Sequence, residues 1–345
     1  MNGITKKQSY NRIYWVDYIK SFTMFLVVLG HSGLENGLLR ELIYGFHVPM
    51  FIFVSGFFYK KPYSIKASFK KYFRTLAIPY LFFSVFIIPL QAAVHYLKDG
   101  TVPRVGEFFL KFLMDDRYAC GPIWFLGALL FIKILLDTVV VLIDSSYSKG
   151  DKNKGFVILC TLILVFLLDA THVVSILSVD SSLGLLVFFL SGLFWKKYVG
   201  LSNMGVAKKI WAPILIIITY ATSVYLNSTQ GNSIAFVQMK IGDNPVWTYF
   251  NAMLGCVGFT MLFSAINTKS HFAEFFQRIG EYTIGILGFH IIFIVIFRFA
   301  FKSVAGENIP FWYLLVISII SYFMSYFLTR MVSKINPALI GKQKN

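Results

Sequence analysis

Ten apolar runs, each of roughly 17 to 25 residues, recur along the chain, and a run of that length matches the hydrocarbon thickness of a bilayer. In lipid a backbone N–H or C=O can find a partner only within its own segment or in a closed barrel. Runs this long therefore predict helices. They cover approximately Tyr14–Gly33, Glu41–Tyr59, Tyr72–Leu97, Gly121–Ile143, Phe156–Leu177, Ser182–Tyr198, Ile210–Leu226, Trp247–Ile266, Tyr282–Phe301 and Phe311–Val332. Asp169, His172 and Asp180 interrupt the fifth and sixth, where a re-entrant hairpin is the alternative. With no internal repeat and no low-complexity run, residues 1–345 read as one integral membrane domain with core spans over about 14–332. The expected fold is all-α, a polytopic transmembrane helix bundle. Only 14% of residues are charged, against about 25% in soluble domains. Basic residues precede the first run, but no small-residue cleavage site follows it, so a retained first span is expected.

A net charge of +16 raises the question of nucleic acid, and the placement of the charges excludes it. Lys and Arg cluster in the short hydrophilic gaps between apolar runs. With the N-terminus inside, 22 of the 32 fall on inner segments, seven on outer segments and three (Lys20, Lys133, Arg298) within spans. Such an excess orients the chain with both termini cytoplasmic, and a cell membrane of the bacterial inner or plasma type is the expected location. Cys120, Cys160 and Cys256 form no CxxC pair and suggest neither a disulfide framework nor a zinc site, so no metal is expected.

The first run, "YWVDYIKSFTMFLVVLGHSG", keeps three ionisable groups. Eleven residues from Lys20 to His31 make about three helical turns, so Asp17, Lys20 and His31 share one stripe, with His31 about 16 Å above Lys20. Each costs roughly 2.5–3.5 kcal/mol in a bilayer unless it faces a polar interior. Two readings are open: Lys20 snorkels to the inner interface with Asp17 as counter-ion, or the stripe lines a wet crevice. The second run, "FHVPMFIFVSGFFYKK", favours the crevice, because it descends from outside and places His47 near the depth of His31.

The Lys20-x10-His31 set resembles the Arg/Lys-x10-His signature of the acyltransferase 3 family of integral membrane acyltransferases. "FHVPMFIFVSGFFY" is similar to that family's second-helix segment, above all in its fucose 4-O-acetylase-like branch. "KYFRTLAIPYL" resembles its Arg-x-x-Arg start of the third helix, with Lys71 in place of the first Arg and Arg74 as the second. "GPIWFLGALLF" and "IGEYTIGILGFH" resemble two further motifs in the same order, with Thr283 at the usual Ser position and Gly288-Phe289 before His290. The resemblance implies a ten-helix enzyme that moves an acetyl or similar short acyl group from acyl-CoA to a carbohydrate hydroxyl. No cofactor is bound in that reading, and acetyl-CoA is a co-substrate. The first-helix histidine is then the favoured catalytic residue and the third-helix basic pair is linked to acyl-CoA. The acceptor is a cell-envelope polysaccharide or a lipid-linked sugar.

Acyl transfer to an alcohol needs a base for the hydroxyl and stabilisation of an oxyanion, and histidine suits the first task near neutral pH. His31 is the candidate base or transient acyl carrier, with His47 or the Trp124 indole as oxyanion donor and Lys20 and Asp17 as supporting charges. His290, Arg298 and Glu35 are candidates for an acceptor cavity. Lys133 reads as a snorkelling lysine and Ser55-Gly56 as close helix packing. Asp115, Asp116 and Arg117, in an expected interfacial helix over residues 100–120, are further candidates for sugar hydroxyls. The competing function is a polytopic transporter or flippase for an envelope glycan or lipid. It is disfavoured because no inverted repeat and no paired broken helices are visible.

Overall fold

In a computed structural model, the described residues are 14–34, 37–101, 106, 110, 121–148, 179–199, 205–229, 234, 236, 244–266 and 271–342. They are helical and contain no strand. The principal helices are α1 (Tyr14–His31), α2 (Leu38–Tyr44), α3 (His47–Phe57), α4 (Ile65–Tyr72), α5 (Ile78–Asp99) and α6 (Trp124–Ser148). They continue with α7 (Val179–Phe194), α8 (Val206–Thr229), α9 (Pro245–Ala265), α10 (His271–Gly280), α11 (Thr283–Ala305) and α12 (Phe311–Ile335), closed by a 3₁₀ turn at Pro337–Ile340. Among the described residues, eight helical runs are long and apolar enough to cross a membrane. They coincide with the second to fourth and sixth to tenth expected spans. The fifth, Phe156–Leu177, lies outside the described residues. So do Asp169 and His172, Asp115 to Arg117, and all but residues 100, 101, 106 and 110 of the expected interfacial helix.

Helix α1 is not among those eight, since Asp17, Lys20 and His31 dilute its apolar character. Its position in the bundle explains how it can keep them. Eleven of its 18 residues are buried, and it packs against α3, α9, α10, α11 and α12, so most of its surface meets protein rather than lipid. Other spans turn large apolar side chains such as Val85, Leu215 and Phe327 outward, as lipid-facing helices must.

Prolines set two irregularities that matter below. The second span is not continuous: it breaks at Gly45-Phe46, between α2 and α3. Pro49 lacks the N–H that would bond the Gly45 carbonyl, and its ring would collide with that carbonyl in an unbroken helix. In the first turn of α3 the missing donor costs nothing, so the helix restarts with His47 as its first residue. The Tyr220 hydroxyl of α8 donates to the Leu42 carbonyl at the break. Irregular backbone at this depth persists because protein replaces the missing partners. Between α4 and α5, Pro79 likewise ends regular α pairing, and Phe73–Ala77 forms a single π turn that contains Arg74. The Ser64 hydroxyl caps the start of α4, accepting the Ala67 N–H at 3.2 Å, and α4 carries Lys66, Lys70 and Lys71 out beyond the apolar part of the span.

Small residues set the helix spacing. A Cβ on Gly56 would fall on the Phe189 carbonyl oxygen and one on Gly192 on that of Phe53, so α3 and α7 cross in backbone contact. Gly56 is thus a packing site, as expected, whereas Ser55 turns to a cavity described below. Helices α6 and α7 run the same way: the Ser182 hydroxyl bonds the Ala128 carbonyl at 3.1 Å, while Lys133 lies over the Phe189 ring at 5.2 Å. That is the direction the alternating span order assigns to both. Lys133 itself rests between the rings of Tyr72 and Phe189, a cation–π seat in place of the snorkelling reach expected for it.

Candidate functional site

Helix α1 presents Lys20, Met24, Val27 and His31 to one cavity, residues spaced 4, 3 and 4 apart along one stripe. The cavity is about 250 Å³, well above the ~10–15 Å³ that a water needs, and it is lined by polar groups at both ends. The facing wall comes from α3, with His47, Phe51 and Ser55, and from Trp124 and Phe125 at the start of α6. His31 and His47 therefore line the same space, as the depth argument predicted. At the other end the lining is Lys20, Gly280, Glu281, Gly341 and Lys342, where the α10–α11 turn meets the C-terminal turn. Along α1 these ends are about 16 Å apart. On the sidedness expected from the charge distribution, the histidine end would be outer and the lysine end inner.

Hydrogen bonds settle the orientation of two of the rings. His47 Nδ1 lies 2.7 Å from the Ile43 carbonyl oxygen, and since a carbonyl only accepts, Nδ1 carries the proton. In the neutral ring Nε2 is then a lone pair. This bond spans the α2–α3 break, so Pro49 creates the gap and His47 bridges it. His290 repeats the pattern on α11, donating from Nδ1 to the Ile286 carbonyl at 3.0 Å, with a buried Nε2 that has no hydrogen-bond partner among the described residues. Its ring centroid stands 5.2 Å from that of His31. Tyr44 joins the set: its ring packs edge-on against His47 at 5.1 Å and its hydroxyl donates to the Gly30 carbonyl, one residue before His31, at 3.3 Å.

The charges of α1 are paired. Lys20 Nζ lies 2.7 Å from Asp17 Oδ1, within one turn, and a Cβ on Gly280 would strike the Asp17 carbonyl, which pins this turn of α1 to α10. Arg298 does not line the cavity. Its guanidinium rests on Gly33, just beyond the end of α1, where a Cβ would come within 2.6 Å of it. Glu35 lies outside the described residues.

A second, more open cavity of about 600 Å³ lies beside the lysine end. Lys70, Lys71 and Arg74 from α4 and the π turn form one side, and Asn336, Ala338 and Lys342 the other. Lys342 lines both cavities. A family model described as an acyltransferase domain, that of the acyltransferase 3 family, matches residues 13–330. The chain belongs to the acyltransferase 3 family. No curated protein and no solved structure matches it. As a member of the acyltransferase 3 family it is a membrane acyltransferase, and the match covers every described element up to α12.

Within this acyltransferase 3 chain, the expected residues separate into three groups. His31, His47, Lys20 and Trp124 share one cavity, with Asp17 and His290 directly behind it. Lys71 and Arg74 line the neighbouring basic cavity. Arg298 stands apart on Gly33. Sequence reasoning assigned no role to Lys342, Glu281 or Tyr44. Glu281 lies within the "IGEYTIGILGFH" segment and Lys342, 61 residues on, in no motif; only the folded chain brings them together, with Nζ 3.2 Å from Oε2.

Proposed function

We propose that this acyltransferase takes acyl-CoA from the inner face of a bacterial-type inner or plasma membrane and transfers its acetyl or similar short acyl group to a hydroxyl of a cell-envelope or exported carbohydrate. The observation that carries the reading is one cavity with imidazoles at its outer end and ammonium groups at its inner mouth, continued by a second basic cavity through the shared Lys342. Acyl-CoA has the matching shape: polyanionic at one end, thioester at the other. Its pantetheine arm spans roughly 15 Å at the extension of a peptide backbone, against the ~16 Å between Lys20 and His31. Phosphates held at Lys71 and Arg74 would leave the thioester beside the histidines. The acceptor, a polysaccharide or a lipid-linked sugar, enters from the outer end.

The tautomers supply roles. The Nε2 lone pair of His290 can accept an N–H from His31, which leaves the other nitrogen of His31 as the base. His31 removes the proton of the acceptor hydroxyl as its oxygen attacks the thioester carbonyl; collapse expels the CoA thiolate, which takes that proton back and leaves ester and thiol. With Nδ1–H spent on the Ile43 carbonyl, His47 has no proton for the oxyanion in its neutral form, and its Nε2 lone pair instead accepts a hydrogen bond from a neighbouring hydroxyl of the sugar and so orients the acceptor. The Trp124 indole N–H is the candidate donor to the oxyanion. In the relay variant His31 attacks first and carries the acyl group, and CoA release without acceptor separates this route from the direct one.

The test is acetyl transfer from labelled acetyl-CoA to an added glycan in proteoliposomes. His31→Ala should lower the rate by about 10²-fold or more, the usual contribution of a general base, with insertion and stability retained. An unchanged rate removes His31 from the chemistry. Movement of intact glycan without ester formation would favour the transporter.

A further inference from the structure

Lys342 stands 12 residues beyond the last residue matched by the family model. Four cations, Lys70, Lys71, Arg74 and Lys342, line the inner basic cavity, and among the described residues its lining holds no carboxylate. Three belong to α4 and the π turn; the fourth arrives from the far end of the chain. Its position is held by backbone geometry. Gly341 is left-handed, at φ +75°, and sits so close to the Thr75 carbonyl that a Cβ would come within 2.5 Å of that oxygen. Thr75 belongs to the same π turn as Arg74, so the C-terminal turn and the Arg74 turn are packed as one unit. Ile340 beside it is buried and lines the histidine cavity.

We propose that Lys342 is a donor-binding residue, taking a phosphate of the incoming acyl-CoA at the junction of the two cavities, and that the Gly341 turn is the wall past which the pantetheine arm threads. The proposal rests on the acyl-CoA reading above and extends it to a residue outside the matched region. Nζ of Lys342 is 3.2 Å from Glu281 Oε2 and 3.4 Å from the centroid of the Tyr282 ring. Both members of the ion pair are partly exposed, and such pairs contribute little, so a phosphate with more charge can displace the carboxylate. Without donor, Lys342 rests on Glu281 at the inner mouth. With donor, it turns to the phosphate and closes the ring of cations.

The experiment uses the full chain in nanodiscs, with coenzyme A as binding probe and acetyl-CoA as substrate. Lys342→Gln should raise both the Kd for coenzyme A and the KM for acetyl-CoA by about tenfold, the effect of one charge-assisted hydrogen bond, with kcat little changed. Lys342→Arg should recover most of the loss, and Lys302→Gln, an exposed lysine paired with Glu307 beyond the opposite end of α11, should change nothing. Coenzyme A binding by Lys342→Gln equal to wild type overturns the assignment. A fall in kcat with unchanged KM also overturns it, because it would mark a structural role. If the wild type transfers acetyl from another donor and does not bind coenzyme A, the donor reading falls, and Lys342 with it.

Discussion

Gly341→Ala tests the link between backbone geometry and the inner mouth. Two costs add at this position. An L-residue at φ +75° pays about 1–2 kcal/mol for the left-handed conformation. The new methyl also comes within 2.5 Å of the Thr75 oxygen, so the turn must shift by most of an ångström, and overpacking of that kind costs roughly 1–3 kcal/mol. Gly100 supplies the control. Its φ is +68°, nearly the same, but a Cβ there meets nothing within 4 Å. Gly100→Ala therefore carries the first cost without the second, and at the end of α5 rather than beside Lys342. Hydrogen exchange of residues 336–342 in nanodiscs measures the difference, with the KM for acetyl-CoA as functional readout. Gly341→Ala should speed exchange there by about thirtyfold or more, because the two costs sum to ~2–5 kcal/mol and favour local opening by that factor, and should raise the KM. Gly100→Ala should leave both at wild-type values. Equal behaviour of the two variants would refute the claim that contact with Thr75 holds the turn.

Gly56→Leu should be far more damaging to the fold, since its side chain must enter the backbone of α7 at Phe189; a loss of more than about 3 kcal/mol, read as thermal stability in detergent, is expected, and a near-neutral result would mean α3 and α7 do not cross in contact. Tyr220→Phe removes the hydroxyl that serves the Leu42 carbonyl at the helix break, so stability should fall by about 1–3 kcal/mol. Because His47 Nδ1 bonds Ile43 across the same break, activity should fall as well; full activity in a destabilised Tyr220→Phe would show that the break does not position His47.

Much of this architecture was readable in advance because a bilayer imposes one length on every span. Nine of the ten expected spans coincide with described helices, including α1, whose polar stripe lowers its hydropathy. The stripe itself was readable because 3.6-residue periodicity is local: Lys20 and His31 had to share a face, and they do. That His31 and His47 line one cavity was reachable from span direction and depth. The break before His47 carried a visible signal in Pro49, but which side chain would mend it, Tyr220, lies 178 residues from Leu42.

Membrane insertion, all-helical class, helix order and the presence of a polar stripe in the first helix are thus properties of the sequence by itself. They follow from solvation and from the short-range geometry of one helix. Which stripe faces which was decided only by tertiary structure. Packing set His290 behind His31, turned Lys133 onto two aromatic rings, laid Arg298 on Gly33 and carried Lys342 to Glu281. Rotation and register between helices depend on close contacts, such as Gly56 on Phe189 or Gly341 on Thr75, between residues far apart in the chain, and no local period encodes those.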